Sequence, residues 1–225
     1  MIIRTLDVLF SMLALLVLSP FLVPISILLK LTGEGEIFFM QERVGQHGKI
    51  FKLIKFATMI KASPNIGSGT ITIENDPRVL TVGKFLRKTK INELPQLLNI
   101  VKGDMSIIGP RPLVQETFSN YSEATQSIIL AVKPGLSGVG SIIFRGEEKI
   151  LKGDMATVEF YNSVIAPYKG KLEEWFVFNK SIYVYFLAIF LTIWVILSPN
   201  SSIAFRLFVN LPIPPDALKK ALIIE

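Results

Sequence analysis

The chain has 225 residues, of which half are hydrophobic; its mean hydropathy of +0.50 is high for a purely soluble domain, and its net charge is +6. It has no cysteine, which excludes disulfides and thiolate metal sites and suits the cytosolic side of a membrane. Residues 40–112 hold twelve Lys or Arg against five Asp or Glu without an aromatic-studded nucleic-acid motif, so this charge favours anionic lipid or a phosphorylated small molecule over nucleic acid.

The first predicted element is a membrane helix. Residues 8–31 are apolar, with no charge before Lys30, and a helix of this length would be about 36 Å long against about 30 Å for the hydrocarbon core. A straight anchor and a re-entrant hairpin both fit this length. Ser19-Pro20 and Pro24 favour a bend, because each proline removes one helical donor, and the Ser19 hydroxyl can bind a freed carbonyl.

A short β-hairpin is predicted next. Residues 37–59 alternate apolar and polar side chains around Gly45 and Gly48, which is typical of two strands joined by a turn. His47 lies in this turn and is interpreted as a solvated loop side chain. Residues 61–77 predict a loop, because they are rich in Gly, Ser, Asn and Pro.

Two helices are predicted to follow. Residues 78–90 would form a helix with a basic face. The next helix would begin at Asn92, a favourable N-cap, and end before Gly103. Capping and the helix dipole alone would explain both Asn92 and Glu93. The functional alternative is that this helix start binds an anion while Glu93 holds a divalent cation.

The remaining chain contains a restrained arginine and further helices. Pro110-Arg111-Pro112 mounts one guanidinium rigidly, which favours a two-pronged phosphate contact. Residues 117–130 and 151–179 predict amphipathic helices. The apolar residues 182–197 are short for a perpendicular span, so an interfacial or buried helix, with Tyr183, Tyr185 and Trp194 near the headgroups if interfacial, is favoured over a second crossing.

Four stretches, taken in chain order, resemble one known family. They are the Ser19-Pro20 segment, FFMQERVGQHGKIFKLIKFATM, NDPRVLTVGKFLRKTKINELPQLLNIVKGDMSIIGPRP, and KPGLSG at residues 133–138. The family is the bacterial sugar transferases, or monotopic phosphoglycosyl transferases. The resemblance, which covers about residues 1–180, implies an α+β fold with a re-entrant membrane helix at 1–33 and a helix-rich cytosolic catalytic domain with a short β-hairpin at 34–180. For residues 181–225, the apolar pattern described above predicts an interfacial helix followed by a tail.

The resemblance also implies an activity. Such enzymes transfer a sugar-1-phosphate from a UDP-sugar to polyprenyl (undecaprenyl) phosphate, with Mg²⁺, and release UMP to start a surface glycan such as an exopolysaccharide or O antigen. The reaction takes place at the cytoplasmic face of the bacterial inner membrane, among its lipids and without nucleic acid. A homo-oligomer is compatible with this. An aspartate of an Asp-Glu dyad attacks the sugar-linked phosphate.

The sequence departs from the family at this dyad. Asn92 stands where aspartate is usual, which leaves Glu93 as the catalytic and metal-binding carboxylate. Three hypotheses follow: Glu93 takes over the covalent role, the lipid phosphate attacks directly, or the protein is inactive. An inactive chain would be a membrane-surface protein that binds UDP-sugar or polyprenyl phosphate. Ala57 also replaces the arginine of a Phe-Arg-Thr-Met motif, and the chain differs after KPGLSG.

A set of cations completes the predicted site. Positive side chains would screen the repulsion between the two anionic substrates and bind developing charge together with Mg²⁺. The predicted phosphate or nucleotide ligands are Lys55, Arg78, Arg87, Lys88, Arg111 and Arg145.

Overall fold

The structure is a computed structural model of the chain, described here for residues 1–63, 66, 76–145, 158–198 and 202–222. It combines helices with two small sheets, which confirms the predicted α+β class. Most of the predicted loop at 61–77 and the first part of the predicted helix at 151–179 lie outside the described residues.

The chain divides into two compact units. The amino-terminal unit comprises residues 2–42 and 52–103, and the carboxy-terminal unit comprises Met1 and residues 43–51 and 104–225. The three-part division inferred from the sequence stays a prediction.

The amino-terminal unit begins with helix α1, Ile2–Leu31, which contains Pro20 and Pro24. The Ser19 hydroxyl donates a hydrogen bond of 2.8 Å to the Leu16 carbonyl, the group left without its usual donor by Pro20, as predicted. The helix continues through both prolines, so the structure has one helix where a hairpin with two arms was predicted. The re-entrant path itself stays a prediction.

The predicted β-hairpin is confirmed. Strands β1 (Phe38–Val44) and β2 (Ile50–Phe56) form a two-stranded sheet, and the 3₁₀ turn Gln46–Gly48 lies between them. His47 has a left-handed φ of 58° and an exposed side chain in this turn.

The amino-terminal unit packs α1 against the hairpin and the next helix, α2 (Thr81–Lys88). Leu29, Phe56 and Leu86 form its buried apolar cluster. Gly83 lets α2 approach the chain after β2, because a Cβ at this position would lie 2.2 Å from the Thr58 carbonyl oxygen.

The helix start predicted at Asn92 is wrong. Residues Ile91–Glu93 form a 3₁₀ turn, and helix α3 spans Gln96–Lys102 with Pro95 at its N-cap. The turn follows Lys90, whose φ is 61°, and it buries Asn92, so the Asn92 side chain does not cap α3. Gly103, with a φ of 101°, ends α3 as predicted.

The carboxy-terminal unit contains a parallel strand pair that the sequence did not predict. Strand β3 (Ser106–Ile108) pairs with β4 (Gly135–Ser137), with Ser106 opposite Gly135 and Ile108 opposite Ser137. The strand pair therefore joins the end of the KGDMS segment to the KPGLSG segment.

Further helices complete the carboxy-terminal unit. The chain forms two helices where one was predicted at 117–130, because the Ser122 hydroxyl caps the second by accepting the Thr125 N–H at 3.2 Å. A short helix, Val158–Phe160, and a π-helical segment, Tyr161–Ile165, precede the helix Ala166–Asn179. The helices are α4 (Gln115–Phe118), α5 (Glu123–Leu130), α6 (Val139–Ile143), α7 (Ala166–Asn179), α8 (Ile182–Leu197), α9 (Ile203–Leu207) and α10 (Asp216–Leu222).

Helix α8 has two apolar faces with different surroundings. One face is buried in the carboxy-terminal unit and includes Val184, Tyr185, Ala188, Leu191 and Val195. The other is exposed and includes Tyr183, Phe186, Phe190, Ile193 and Leu197. The helix is therefore not buried all round, and its position relative to lipid stays a prediction.

Candidate functional site

The candidate site in the amino-terminal unit centres on an ion pair between Lys55 and Glu93. Lys55 Nζ lies 3.3 Å from Glu93 Oε1, and the side chains are 20% and 17% exposed. Strand β2 positions Lys55, and the 3₁₀ turn before α3 positions Glu93. Two of the predicted site residues are thus in direct contact, with the carboxylate still reachable from solvent.

Asn92, beside Glu93 in the chain, has a different environment. The residue is 5% exposed, and its buried Oδ1 has no hydrogen-bond partner. A buried acceptor without a donor costs free energy, so natural proteins rarely keep one without another use for it. Within the Asn92–Glu93 pair, the accessible and anionic group is Glu93.

Asn99 of α3 links this turn to the strand that carries Lys55. Its Oδ1 accepts the Ile54 N–H at 3.0 Å, and its Nδ2 donates to the Lys52 carbonyl at 2.8 Å. Asn99 is 1% exposed, so both hydrogen bonds are shielded from water. They fix α3, and hence the turn before it, against β2.

Arg4 of α1 binds the other end of α3. Its guanidinium donates to the carbonyls of Ile100 and Val101, at 2.6 and 3.0 Å. The last four carbonyls of a helix have no partner within the helix, and a cation at this end also opposes the helix dipole. Helix α1 is therefore directly bonded to the helix that follows the candidate catalytic turn.

Arg78 is buried and engaged within the protein. It forms a bidentate salt bridge with Asp76, in which Nε donates to Oδ1 at 2.9 Å and Nη2 donates to Oδ2 at 2.6 Å. Its Nη1 donates to the carbonyls of Ser63 and Ile66. The hydrogen bonds with Asp76 raise the pKa of Arg78 above its usual value. Arg78 therefore holds together parts of the chain that follow β2. Its contact with phosphate stays a prediction.

Arg87 and Lys88 occupy the last turn of α2. Lys88 is exposed and Arg87 is partly buried. They extend the positive charge of the amino-terminal unit, and their role as phosphate ligands stays a prediction.

The other two predicted cations, Arg111 and Arg145, belong to the carboxy-terminal unit. Arg111 is exposed between the buried prolines Pro110 and Pro112. Arg145 is partly buried and follows Phe144, the C-cap of α6. Burial of both prolines anchors the backbone on each side of Arg111, and the phosphate contact of its guanidinium stays a prediction.

The backbone around Arg111 is held at five successive positions. The Gly109 N–H donates to Ser137, and the Pro110 carbonyl accepts from Gly135, at 2.9 and 2.8 Å. The Arg111 N–H donates to Glu173 Oε1 at 3.4 Å. The Pro112 carbonyl accepts from the Arg43 guanidinium at 3.2 Å, and the Leu113 carbonyl accepts from the Val44 N–H at 2.9 Å.

Glu173 is a buried carboxyl that the sequence reasoning missed. It is 3% exposed, and Oε2 has no hydrogen-bond partner. Burial raises the pKa of Glu173 to about 7, although the Arg111 N–H and the positive charges of Lys169 and Arg111 oppose this shift. Helical periodicity gave no signal for Glu173, because α7 is buried on most of its sides, with Tyr168, Gly170, Leu172 and Phe176 all buried as well.

The oxygen donors of the site bear on whether it can hold Mg²⁺. Within the described residues, no three His, Cys, Asp or Glu side chains cluster as metal ligands. Mg²⁺ usually retains several waters and binds one or two carboxylates together with substrate phosphates. The Glu93 carboxylate and the unpaired Asn92 Oδ1 are oxygen donors of the required kind. These oxygens are of the type that Mg²⁺ binds, and a magnesium ion at this site stays a prediction.

Several curated proteins are similar to this chain. The exopolysaccharide production protein ExoY of Sinorhizobium fredii is 38% identical over 64% of this chain and 70% of its own length. The UDP-glucose:undecaprenyl-phosphate glucose-1-phosphate transferase of Escherichia coli is 40% identical over 70% of this chain and 34% of its own length. The undecaprenyl-phosphate galactose phosphotransferase of Salmonella typhimurium is 35% identical over 64% of this chain and 33% of its own length.

These matches cover about a third of each of the two named transferases and more than two thirds of ExoY. The sequence profile of one family, described as bacterial sugar transferase, matches residues 1–199. Because this match covers most of the chain, the protein belongs to the bacterial sugar transferase family.

Proposed function

We propose that this protein transfers a sugar-1-phosphate from a UDP-sugar to polyprenyl phosphate, releases UMP and so initiates a surface glycan. Family membership supports this reaction, as do relatives whose names describe sugar-phosphate transfer to undecaprenyl phosphate. The structural observation that carries the proposal is the pairing of Glu93 with Lys55, which places a carboxylate and a cation together at a partly exposed position.

The proposed chemistry begins at the phosphate that bears the sugar. An anionic oxygen attacks this phosphorus and forms a new P–O bond, while the bond to the oxygen shared with UMP breaks and UMP leaves with the electron pair. If Glu93 attacks, the polyprenyl phosphate then displaces its carboxylate and restores it. If the polyprenyl phosphate attacks directly, the same products form in one step, and Glu93 would contribute as a ligand of Mg²⁺.

The positive side chains serve both routes. Lys55 offsets the negative charge that the Glu93 carboxylate and the phosphates bring together, and Arg111 would bind a phosphate oxygen with two N–H groups. Glu93 and the Asn92 Oδ1 would hold Mg²⁺. The bound ion would neutralise part of the phosphate charge. Arg78, Arg87, Lys88 and Arg145 remain proposed ligands of the phosphates or the nucleotide.

We also propose that α1 enters the bacterial inner membrane from the cytoplasmic face and returns to it. Most apolar side chains of α1 are exposed, and α1 is long and apolar enough to cross a membrane. Both of its ends nevertheless bind the same compact unit: Arg4 bonds to α3, and Leu29 packs with Phe56 and Leu86. A straight crossing would separate these ends by about 30 Å of hydrocarbon.

The exposed apolar face of α8 supports an interfacial position for this helix. Tyr183 and Trp194 lie near its two ends, and tyrosine and tryptophan are favoured at headgroup level. We propose that this face rests on the membrane lipids while the opposite face packs in the carboxy-terminal unit.

Assays of UMP release test the reaction. The full chain in nanodiscs, with Mg²⁺ and undecaprenyl phosphate, should release UMP from at least one of a panel of UDP-sugars. Glu93→Gln should abolish release, and Glu116→Gln, which changes an exposed carboxylate on α4, should not. Absence of release across the panel by wild-type protein would favour a membrane-surface binding protein instead.

Intact-protein mass spectrometry without lipid acceptor separates the two chemical routes. A phospho-sugar adduct that is lost in Glu93→Gln shows covalent catalysis at Glu93. UMP release only when polyprenyl phosphate is present, with no adduct, shows direct attack. Asn92→Asp should restore the usual dyad of the family and raise the rate of UMP release about tenfold or more.

Labelling of single cysteines tests the membrane path, since the natural chain contains none. Cysteine introduced at the exposed positions Ile2 and Lys52 should react with a membrane-impermeant maleimide only after the cells are permeabilised. Reaction at position 2 in intact spheroplasts, with position 52 still protected, would show that α1 crosses the membrane.

A further inference from the structure

The loop that carries Arg111 is tightly packed against the segment KPGLSG at residues 133–138. Three glycines at its contacts leave no space for side chains: a Cβ on Gly109, Gly135 or Gly138 would lie 2.5, 2.1 or 2.1 Å from backbone atoms of the facing segment. The backbone of KPGLSG therefore lies directly against the backbone that leads into Pro110. This close contact fixes the loop before Arg111.

The Arg111 peptide itself is held by a side chain rather than by the strand pair. Its N–H donates to Glu173 Oε1, which α7 supplies from 62 residues further along the chain. Gly140 of α6 makes space for this carboxyl, because a Cβ there would lie 2.5 Å from the same oxygen. The Arg111 N–H, the Glu173 carboxyl and Gly140 therefore pack tightly together.

The burial of the Glu173 carboxyl indicates that this group has a specific role. A buried carboxyl with one oxygen unpaired is costly, and a hydrophobic side chain of similar size would normally be more favourable there. The adjacent Glu174 has a separate structural role, because it accepts a hydrogen bond from the Thr125 hydroxyl of α5. A carboxyl at position 173 is explained if its Oε1 is needed to accept the Arg111 N–H.

We propose that Glu173 is a positioning residue for Arg111, an inference that rests on the proposed function: by accepting the Arg111 N–H, it presents the guanidinium to a phosphate of the UDP-sugar. A protonated carboxyl still offers an acceptor oxygen, so the contact persists whether Glu173 is charged or neutral. An amide at position 173 can make the same contact, whereas a thioether of similar length cannot.

Amide hydrogen exchange on the full chain in nanodiscs measures the contact without catalysis. Glu173→Met should raise the exchange rate of the Arg111 amide about tenfold. Glu173→Gln should leave it within twofold of wild type, as should the matched control Glu174→Gln. Gly140→Ala, which displaces the carboxyl through a different residue, should reproduce the effect of Glu173→Met.

Steady-state kinetics measure the consequence for the substrate. Glu173→Met should raise KM for the UDP-sugar roughly three- to tenfold, with kcat changed less than twofold, and Glu173→Gln should restore the wild-type KM. A general loss of folding would instead lower the active fraction and hence kcat.

Two results would overturn the inference. The first is an unchanged Arg111 exchange rate in both Glu173→Met and Gly140→Ala, and the second is a Glu173→Gln variant as impaired as Glu173→Met. If wild-type protein has no transferase activity, the proposed function fails, while amide exchange still decides whether Glu173 holds the Arg111 loop.

Discussion

Lys55 on β2 and Glu93 in the turn before α3 are paired at 3.3 Å, although 38 residues separate them in the chain. Asn99 supports this pair by bonding α3 to the same strand. The geometry of the ion pair therefore depends on three short elements: β2, the 3₁₀ turn Ile91–Glu93 and α3.

Substitution of Lys55 should impair the reaction more than the fold. Lys55→Gln removes the cation beside the Glu93 carboxylate, so we expect kcat/KM to fall roughly 10- to 100-fold. UMP release measures the effect. Lys52→Gln, at an exposed position on the same strand, is the matched control and should stay within twofold of wild type. Equal losses in both variants would show that only the overall charge matters.

Asn99→Leu should destabilise the protein. It leaves the Ile54 N–H and the Lys52 carbonyl without the partners that the amide now provides, so the free energy of unfolding should fall by roughly 2–4 kcal/mol. Thermal unfolding in detergent checks this. Asn120→Ala, which removes an exposed asparagine bonded to Asn162, should change stability by less than about 0.5 kcal/mol. Comparable effects would contradict the role assigned to Asn99.

Arg4→Met should loosen the end of α3. The variant loses two hydrogen bonds from a charged donor, one to the Val101 carbonyl and one to the Ile100 carbonyl, which also accepts the Gly103 N–H, so local stability should fall by about 1–3 kcal/mol. Amide exchange in residues 100–103 should rise accordingly. Lys30→Met, at the opposite end of α1, is the control, and unchanged exchange at α3 in Arg4→Met would refute the coupling.

Glu173 should make stability dependent on pH. Its pKa is raised from 4.5 to about 7, mainly by burial, so between these values the unfolded chain has released a proton that the folded chain still holds. Stability should therefore decrease as pH rises through this window, by roughly 2–4 kcal/mol in total. Glu173→Gln has no such proton and should gain stability relative to wild type between pH 4.5 and 7.

Tryptophan-detected unfolding at pH 5 and pH 8 measures that difference. The charged groups of the neighbouring elements are few: Arg111 and Lys169 act on Glu173, α6 has no titratable side chain, and α5 contributes Glu123 alone. Glu174→Gln should keep the wild-type dependence. Identical pH dependence in wild type and Glu173→Gln would contradict the raised pKa.

The local features of this protein were determined by the sequence. The apolar run of α1, the alternation in β1 and β2, and Gly103 at the end of α3 each reflect periodicity or backbone preference within a few residues. The motifs in residues 37–138 likewise identified the family before any contact was known, because their residues and spacing are specific.

Only the tertiary structure decided which polar groups face inward. It buried Asn92 within a 3₁₀ turn rather than placing it at a helix cap, and it paired β3 with β4. It also bonded Arg4 to α3 and turned Glu173 rather than Glu174 toward the Arg111 peptide. Each of these contacts joins groups distant in the chain or depends on burial by distant elements. Local propensity carries no information about such partners, because their free energy arises only once the elements are packed together.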